Sequence, residues 1–139
     1  MGCCWPTLFT RGSDKSNNET QIYSENVHRV TSMQSWEEKL SEASRDGKIV
    51  VAKFCAPWCQ RCRDIVSTYS DLANKYPHIL FLGVDVDDLA ELSTSWDISA
   101  TPTFYFLKDG REIDKLVGAD KSQLHKKTAA VAQHSKPDS

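Results

Sequence analysis

The chain has 139 residues, 40% hydrophobic and 26% charged, with a formal net charge of −2; that length suits one domain burying roughly two-thirds of its extended-chain surface. With a pI near 6.1 it carries no basic stripe to neutralise phosphates, which excludes an ordinary nucleic-acid binder. A mean hydropathy of −0.48 and the lack of a long apolar run exclude a membrane span.

At the N-terminus, Met1-Gly2-Cys3-Cys4 can be read as an acylation site, with Gly2 for myristate and Cys3 or Cys4 for palmitate. Pro6 stands where the motif wants Ser or Thr, and stable anchoring needs both chains. An inert tail is the plain alternative. Residues 10–21, TRGSDKSNNETQ, are polar and aperiodic, so 1–21 reads as a flexible extension. The folded domain is placed at 22–133 and a frayed tail at 134–139.

Within the domain, NVHRVT (26–31) reads as a short strand. SWEEKLSEASRDG (35–47) reads as a helix, with Ser35 and Glu38 as a capping box, Met33, Trp36, Leu40 and Ala43 on one face, and Gly47 as the stop. KIVVAKFC (48–55) is a near-continuous apolar run, the mark of a central strand covered on both faces. From Cys59 to Tyr76 helical spacing returns through Ile65, Val66, Tyr69, Leu72 and Ala73, and Pro77 closes it. ILFLGVDV (79–86) is a second buried strand, followed by a short helix over 88–96. TFYFLK and EIDKLVG flank Asp109-Gly110, a hairpin signal. Asp120 caps a last helix through Leu124, Ala129 and Val131, with Lys126 and Lys127 on its wet face. The fold class is α/β: a central mixed sheet of about five strands flanked by about four helices.

The five cysteines, at 3, 4, 55, 59 and 62, are odd in number and clustered, a poor disulfide framework for a secreted domain. CCWPTLF has no basic segment before it and is broken by Pro6, so it does not read as a signal peptide. A reducing compartment is expected, where clustered cysteines are catalytic or metal-binding; the sequon Asn18-Glu19-Thr20 is then fortuitous. In FCAPWCQRCRD (54–64) the spacing C-x3-C-x2-C admits three readings. A [4Fe–4S] cluster serving a sulfonium cofactor needs a large partial barrel and a glycine-rich strand, and neither fits. Zinc needs a second ligand pair, while His28, His78, His125 and His134 are scattered, so no metal site is assigned. The third reading rests on position. The cluster falls between the central strand and the next helix. Cys59 lies at about the first helical position, where free N–H groups and the helix dipole favour a thiolate. Cys62 lies one turn on, Pro57 fixes the turn, and Trp58 lays a flat surface against the site. C-x-x-C in that setting reads as a dithiol redox couple.

WCQRC, the downstream ATPT (100–103), the VDVD strand end and the FLKDG hairpin together resemble the thioredoxin family over residues ~27–133. The N-terminal extension, DGKIVVAKF and STSWDISATPTF are most similar to the N-terminally extended plant h-type thioredoxins. The resemblance implies the thioredoxin fold and a protein-disulfide reductase active in cell redox homeostasis. It makes Cys59 the attacking thiolate and Cys62 the resolving thiol, which become a redox-active disulfide. Thr101 and Pro102 match the cis-proline segment, where a substrate strand can pair; Trp58 and Gly118 match positions lining the contact surface, and Trp96 reads as core packing. The implied partners are disulfide-bearing proteins and an electron donor, either an NADPH-dependent thioredoxin reductase or glutathione with glutaredoxin. No cofactor is bound. A cytoplasmic monomer is implied, with membrane association only through N-terminal acylation, and Cys3 or Cys4 could alternatively exchange with the active site or glutathione.

Three departures qualify this. Gln60-Arg61 stands where the family usually has Gly-Pro; Arg61 and Arg63 bracket Cys62, and positive charge there favours thiolate and raises the reduction potential. Neutral drift in an exposed loop is the alternative. Lys53 stands where the family often has an acidic or amide side chain that helps move the resolving cysteine's proton, and a snorkelling ammonium is expected; Ser67 replaces a helix-kinking proline. Cys55 replaces Ser, Thr or Trp, either as a small packed residue or as a third thiol exchanging with Cys59. These changes sustain a rival reading: a weakly catalytic, thioredoxin-like partner-binding module or chaperone.

Overall fold

A computed structural model describes residues 26–133. The elements are β1 (Val27–Val30), α1 (Met33–Asp46), β2 (Ile49–Cys55), α2 (Gln60–Lys75), β3 (Leu80–Asp85), α3 (Ala90–Ser95), β4 (Thr103–Lys108), β5 (Arg111–Val117) and α4 (Lys121–Ala132). The strands form one sheet in the order β1-β3-β2-β4-β5. β3 runs parallel to β1 and β2, whereas β4 runs antiparallel to β2 and β5. This is the expected mixed five-stranded sheet with four helices.

β2 is central and every one of its residues is buried. Its side chains alternate between two cores, as the two-residue period of a strand requires. Ile49 and Val51 face Ile65, Tyr69 and Leu72 of α2 and Leu124 and Val131 of α4. Val50, Ala52 and Phe54 face Trp36 of α1 and Leu92 of α3. Trp96 joins that second core, its ring 5.7 Å from Trp36 and 5.0 Å from Tyr105, in keeping with a packing role. The Tyr69 hydroxyl lies 2.9 Å from the Val51 carbonyl and 2.6 Å from that of Leu82, so it can donate to either and ties α2 to the two central strands.

Several local expectations shift. The N-cap of α1 is Ser32, whose hydroxyl accepts from the Ser35 amide at 3.0 Å, so Ser35 and Glu38 do not open the helix; an earlier serine satisfies the same free N–H groups. Gly47 does end α1, in the left-handed region at φ 70°. α2 continues unbroken through Ser67. Asp120 caps α4 by accepting from the Gln123 amide, but the buried face carries Leu124, Thr128 and Val131 while Ala129 is exposed. Lys127 pairs with Asp114 at 3.0 Å instead of standing free in solvent.

Candidate active site

The β2–α2 junction, the β4 approach and the end of β3 meet at one corner. Cys59 is the N-cap of α2, not its first helical residue, and its sulfur accepts from the Cys62 amide at 3.2 Å. Sulfur thus takes the place of a capping hydroxyl and fixes the spacing of the C-x-x-C pair. The Cys59 thiol also contacts the Thr101 carbonyl at 3.6 Å. The Thr101–Pro102 bond is cis, and the Gly118 amide donates to the Pro102 carbonyl at 2.8 Å. Cys59, Cys62, Thr101, Pro102 and Gly118, read separately from the sequence, therefore converge.

Cys62 is more deeply buried than Cys59. The groups that act on its sulfur are Cys55, Cys59, the Ala56 backbone and Thr101. Led by the Cys55 contact and against the opposing effect of burial, these lower its pKa from 9.0 to about 6. The same contact, with burial, pushes the Cys55 thiol far up against the pull of the Lys53 charge. Cys55 and Cys62 line a pocket of about 170 Å³ with Lys53, Arg29, Arg63 and Asp85. Cys55, Cys59 and Cys62 are all free thiols and pack as one small cluster.

Lys53 does not snorkel: it is 0% exposed. As an odd-numbered residue of the central strand it points into the α2 side of the sheet, with Nζ 5.0 Å over the Tyr69 ring; flanking strands on both sides leave its stem no route outward. Arg63 donates to the Pro57 carbonyl at 2.9 Å and to Gln60 at 3.1 Å, bracing the active-site turn. Gln60 in turn donates to Asp64 at 3.1 Å. Arg61 is exposed and borders a shallow surface recess with Asp64, Asp120 and Lys121.

Trp58 is 67% exposed, and its indole N–H donates to the Asp87 carboxylate at 3.0 Å. No sequence motif links these two residues, which are 29 positions apart. Asp85 does close the strand end by accepting from the Asp87 amide at 2.8 Å, while α3 has no side-chain cap. Among the described residues, no group of three or more His, Cys, Asp or Glu side chains is placed to hold a metal ion. No described helix is long and apolar enough to cross a membrane. Gly2, Cys3 and Cys4 lie outside the described residues.

The family model for thioredoxin matches residues 27–130. The chain is 50% identical over 133 residues to a thioredoxin H-type of Populus jackii, covering 94% of each. It is 48% identical over 131 residues to thioredoxin H9 of Arabidopsis thaliana, covering 94% of this chain and 92% of the relative. The crystal structure of a poplar wild-type thioredoxin h aligns with a TM-score of 0.75 at 56% identity, covering 76% of this chain and 96% of that one.

Proposed function

This chain belongs to the thioredoxin family and is a protein-disulfide reductase, and from that premise we propose that it works by dithiol exchange, with Cys59 attacking and Cys62 resolving. The Cys59 thiolate attacks one sulfur of a target disulfide, forming a mixed disulfide and releasing the other target sulfur as a thiolate that takes up a proton. The Cys62 thiolate then attacks the Cys59 sulfur, which forms the Cys59–Cys62 disulfide and frees the second target thiol. The observation that carries this division of labour is the different placement of the two cysteines, Cys62 being the more buried. Cys59 contacts the Thr101 carbonyl beside Pro102, where a target segment can pair with exposed backbone, whereas Cys62 faces the pocket behind.

Targets are disulfide-bearing proteins, and the couple is restored by a thioredoxin reductase or by glutathione with glutaredoxin. Electrons move between thiols, so no bound cofactor is needed. Cell redox homeostasis in the cytoplasm, as a monomer, suits this chemistry, and membrane attachment is proposed only through Gly2, Cys3 and Cys4. Trapping tests the assignment. Cys62→Ser should accumulate a mixed disulfide with reduced-and-reoxidised insulin, and Cys59→Ser should not. The reverse pattern overturns it.

One observation favours the rival, a weakly catalytic partner-binding protein: Lys53 is fully buried where the family often keeps a proton-accepting or amide group. Insulin turnover with either reductant system separates the two readings. A rate no higher than that of Cys59→Ser would favour the rival.

A further inference from the structure

Fast resolution needs Cys62 as a thiolate, yet Lys53, in its charged form, cannot accept its proton. The strand register shows what else can act. Cys55 is two residues beyond Lys53 on the same face of β2, at the strand end that meets the first turn of α2. There Cys55 is 8% exposed and Cys62 is 3% exposed. They share the pocket wall and the small sulfur-rich cluster at its base.

We propose that Cys55 is a positioning residue for the resolving step: its S–H donates to the Cys62 sulfur and holds that sulfur as the thiolate that attacks the mixed disulfide. This rests on the dithiol reading above and adds the group that prepares its second half. Cys55 neither forms a bond to substrate nor changes oxidation state. The charged and titratable groups facing the pair fit this role. Lys53 from β2, Arg29 from β1 and Arg63 from α2 line the pocket, and Asp85 at the end of β3 is the one acid there; Cys59 is the third thiol of the cluster. The Lys53 charge acts on Cys55, so what singles out the Cys62 sulfur as the anion is a hydrogen-bond donor beside it. An upward push on Cys55 with a downward pull on Cys62 is the pattern that such a bond between two packed thiols produces. Burial helps, because a hydrogen bond to charge is strengthened where water is excluded.

The test is a pH titration of Cys62 by ultraviolet thiolate absorbance. It uses the full chain carrying Cys3→Ser, Cys4→Ser and Cys59→Ser, in which only Cys55 and Cys62 remain. Cys55→Ala in that background should raise the Cys62 midpoint by about one pH unit, a tenfold loss of thiolate on the acid side. Cys55→Ser keeps an O–H donor and should stay closer to the parent. A midpoint unmoved by alanine, or moved equally by alanine and serine, overturns the proposal. Should Cys55→Ala not fold, Cys55→Val replaces it, with the same two outcomes. In the chain with Cys59 restored, the pH profile for collapse of a mixed disulfide should shift in the same direction. The titration needs no turnover, so its failure is distinct from failure of the trapping experiment.

Discussion

Trp58 and Asp87 are joined by an indole N–H···carboxylate bond of 3.0 Å, which ties the residue before Cys59 to the loop after β3. The bond is solvent-exposed, so its worth is at the lower end for a charge-assisted bond, about 1 kcal/mol. Asp87→Ala should release the indole and lower kcat/KM for insulin about fivefold, through KM, since about 1 kcal/mol corresponds to that factor. Steady-state kinetics with acrylamide quenching of tryptophan fluorescence checks both halves.

The Cys62 pKa, lowered to about 6 from 9.0, has a stability consequence of definite sign. An acid whose folded pKa is depressed contributes stability above its unfolded pKa, and loses it as pH falls through the folded value. Cys55, raised in the fold, acts oppositely: its contribution is present below about pH 9 and fades above. The reduced protein should therefore gain resistance to urea from pH 6 to pH 9 and lose the gain at higher pH. Cys62→Ala should flatten that rise; urea midpoints at stepped pH decide it.

Tyr69 is fully buried, with its hydroxyl against the carbonyls of Val51 and Leu82. Tyr69→Phe removes the donor and leaves carbonyl capacity unmet in the core. Loss of about 1–3 kcal/mol is expected for such an orphaned group, with little change in insulin turnover at temperatures where the variant stays folded. Denaturant unfolding followed by tryptophan fluorescence measures it.

Gln60 and Arg61 bear on direction of electron flow. Arg61 is exposed and Arg63 is engaged with Pro57 and Gln60, so the main field on Cys62 comes from its own hydrogen-bond partners. Gln60→Gly/Arg61→Pro removes one cation and the Gln60 brace, and should make the couple more reducing. A tenfold change in the equilibrium would appear as about 30 mV. Redox titration against glutathione buffers reads it; a less negative potential in the variant would contradict the expectation.

Much of this site was legible in the sequence because strand-to-helix junctions announce themselves. An apolar run ending at Cys55, a turn at Pro57 and helical spacing from Cys62 onward place the couple without coordinates. Thr101, Pro102 and Gly118 came from resemblance, and the fold brings them to Cys59. Lys53 was misjudged. Periodicity shows that it lies on a buried strand, but snorkelling depends on whether a strand is central or at an edge, which is a property of the sheet. Ser32 was passed over because two serines compete for one helix start, and only the backbone decides between them. The Trp58–Asp87 bond and the pairing of Cys55 with Cys62, where exchange with Cys59 was the expected alternative, depend on how separate elements are brought together, which local patterns do not encode.

The outer strands carry a last consequence, for behaviour in concentrated solution. β1 has only four residues, and β5 presents Arg111, Glu112, Asp114 and Lys115 along a largely exposed strand. With a net charge of only −2, long-range repulsion between copies is weak. Short length at one margin and mixed charge at the other, interrupting the exposed Ile113 and Val117, limit the apolar template offered to an incoming strand. Colloidal stability in this protein is therefore built into the sheet's margins, and neutralising Lys115 together with Glu112 would weaken it more than the unchanged net charge suggests.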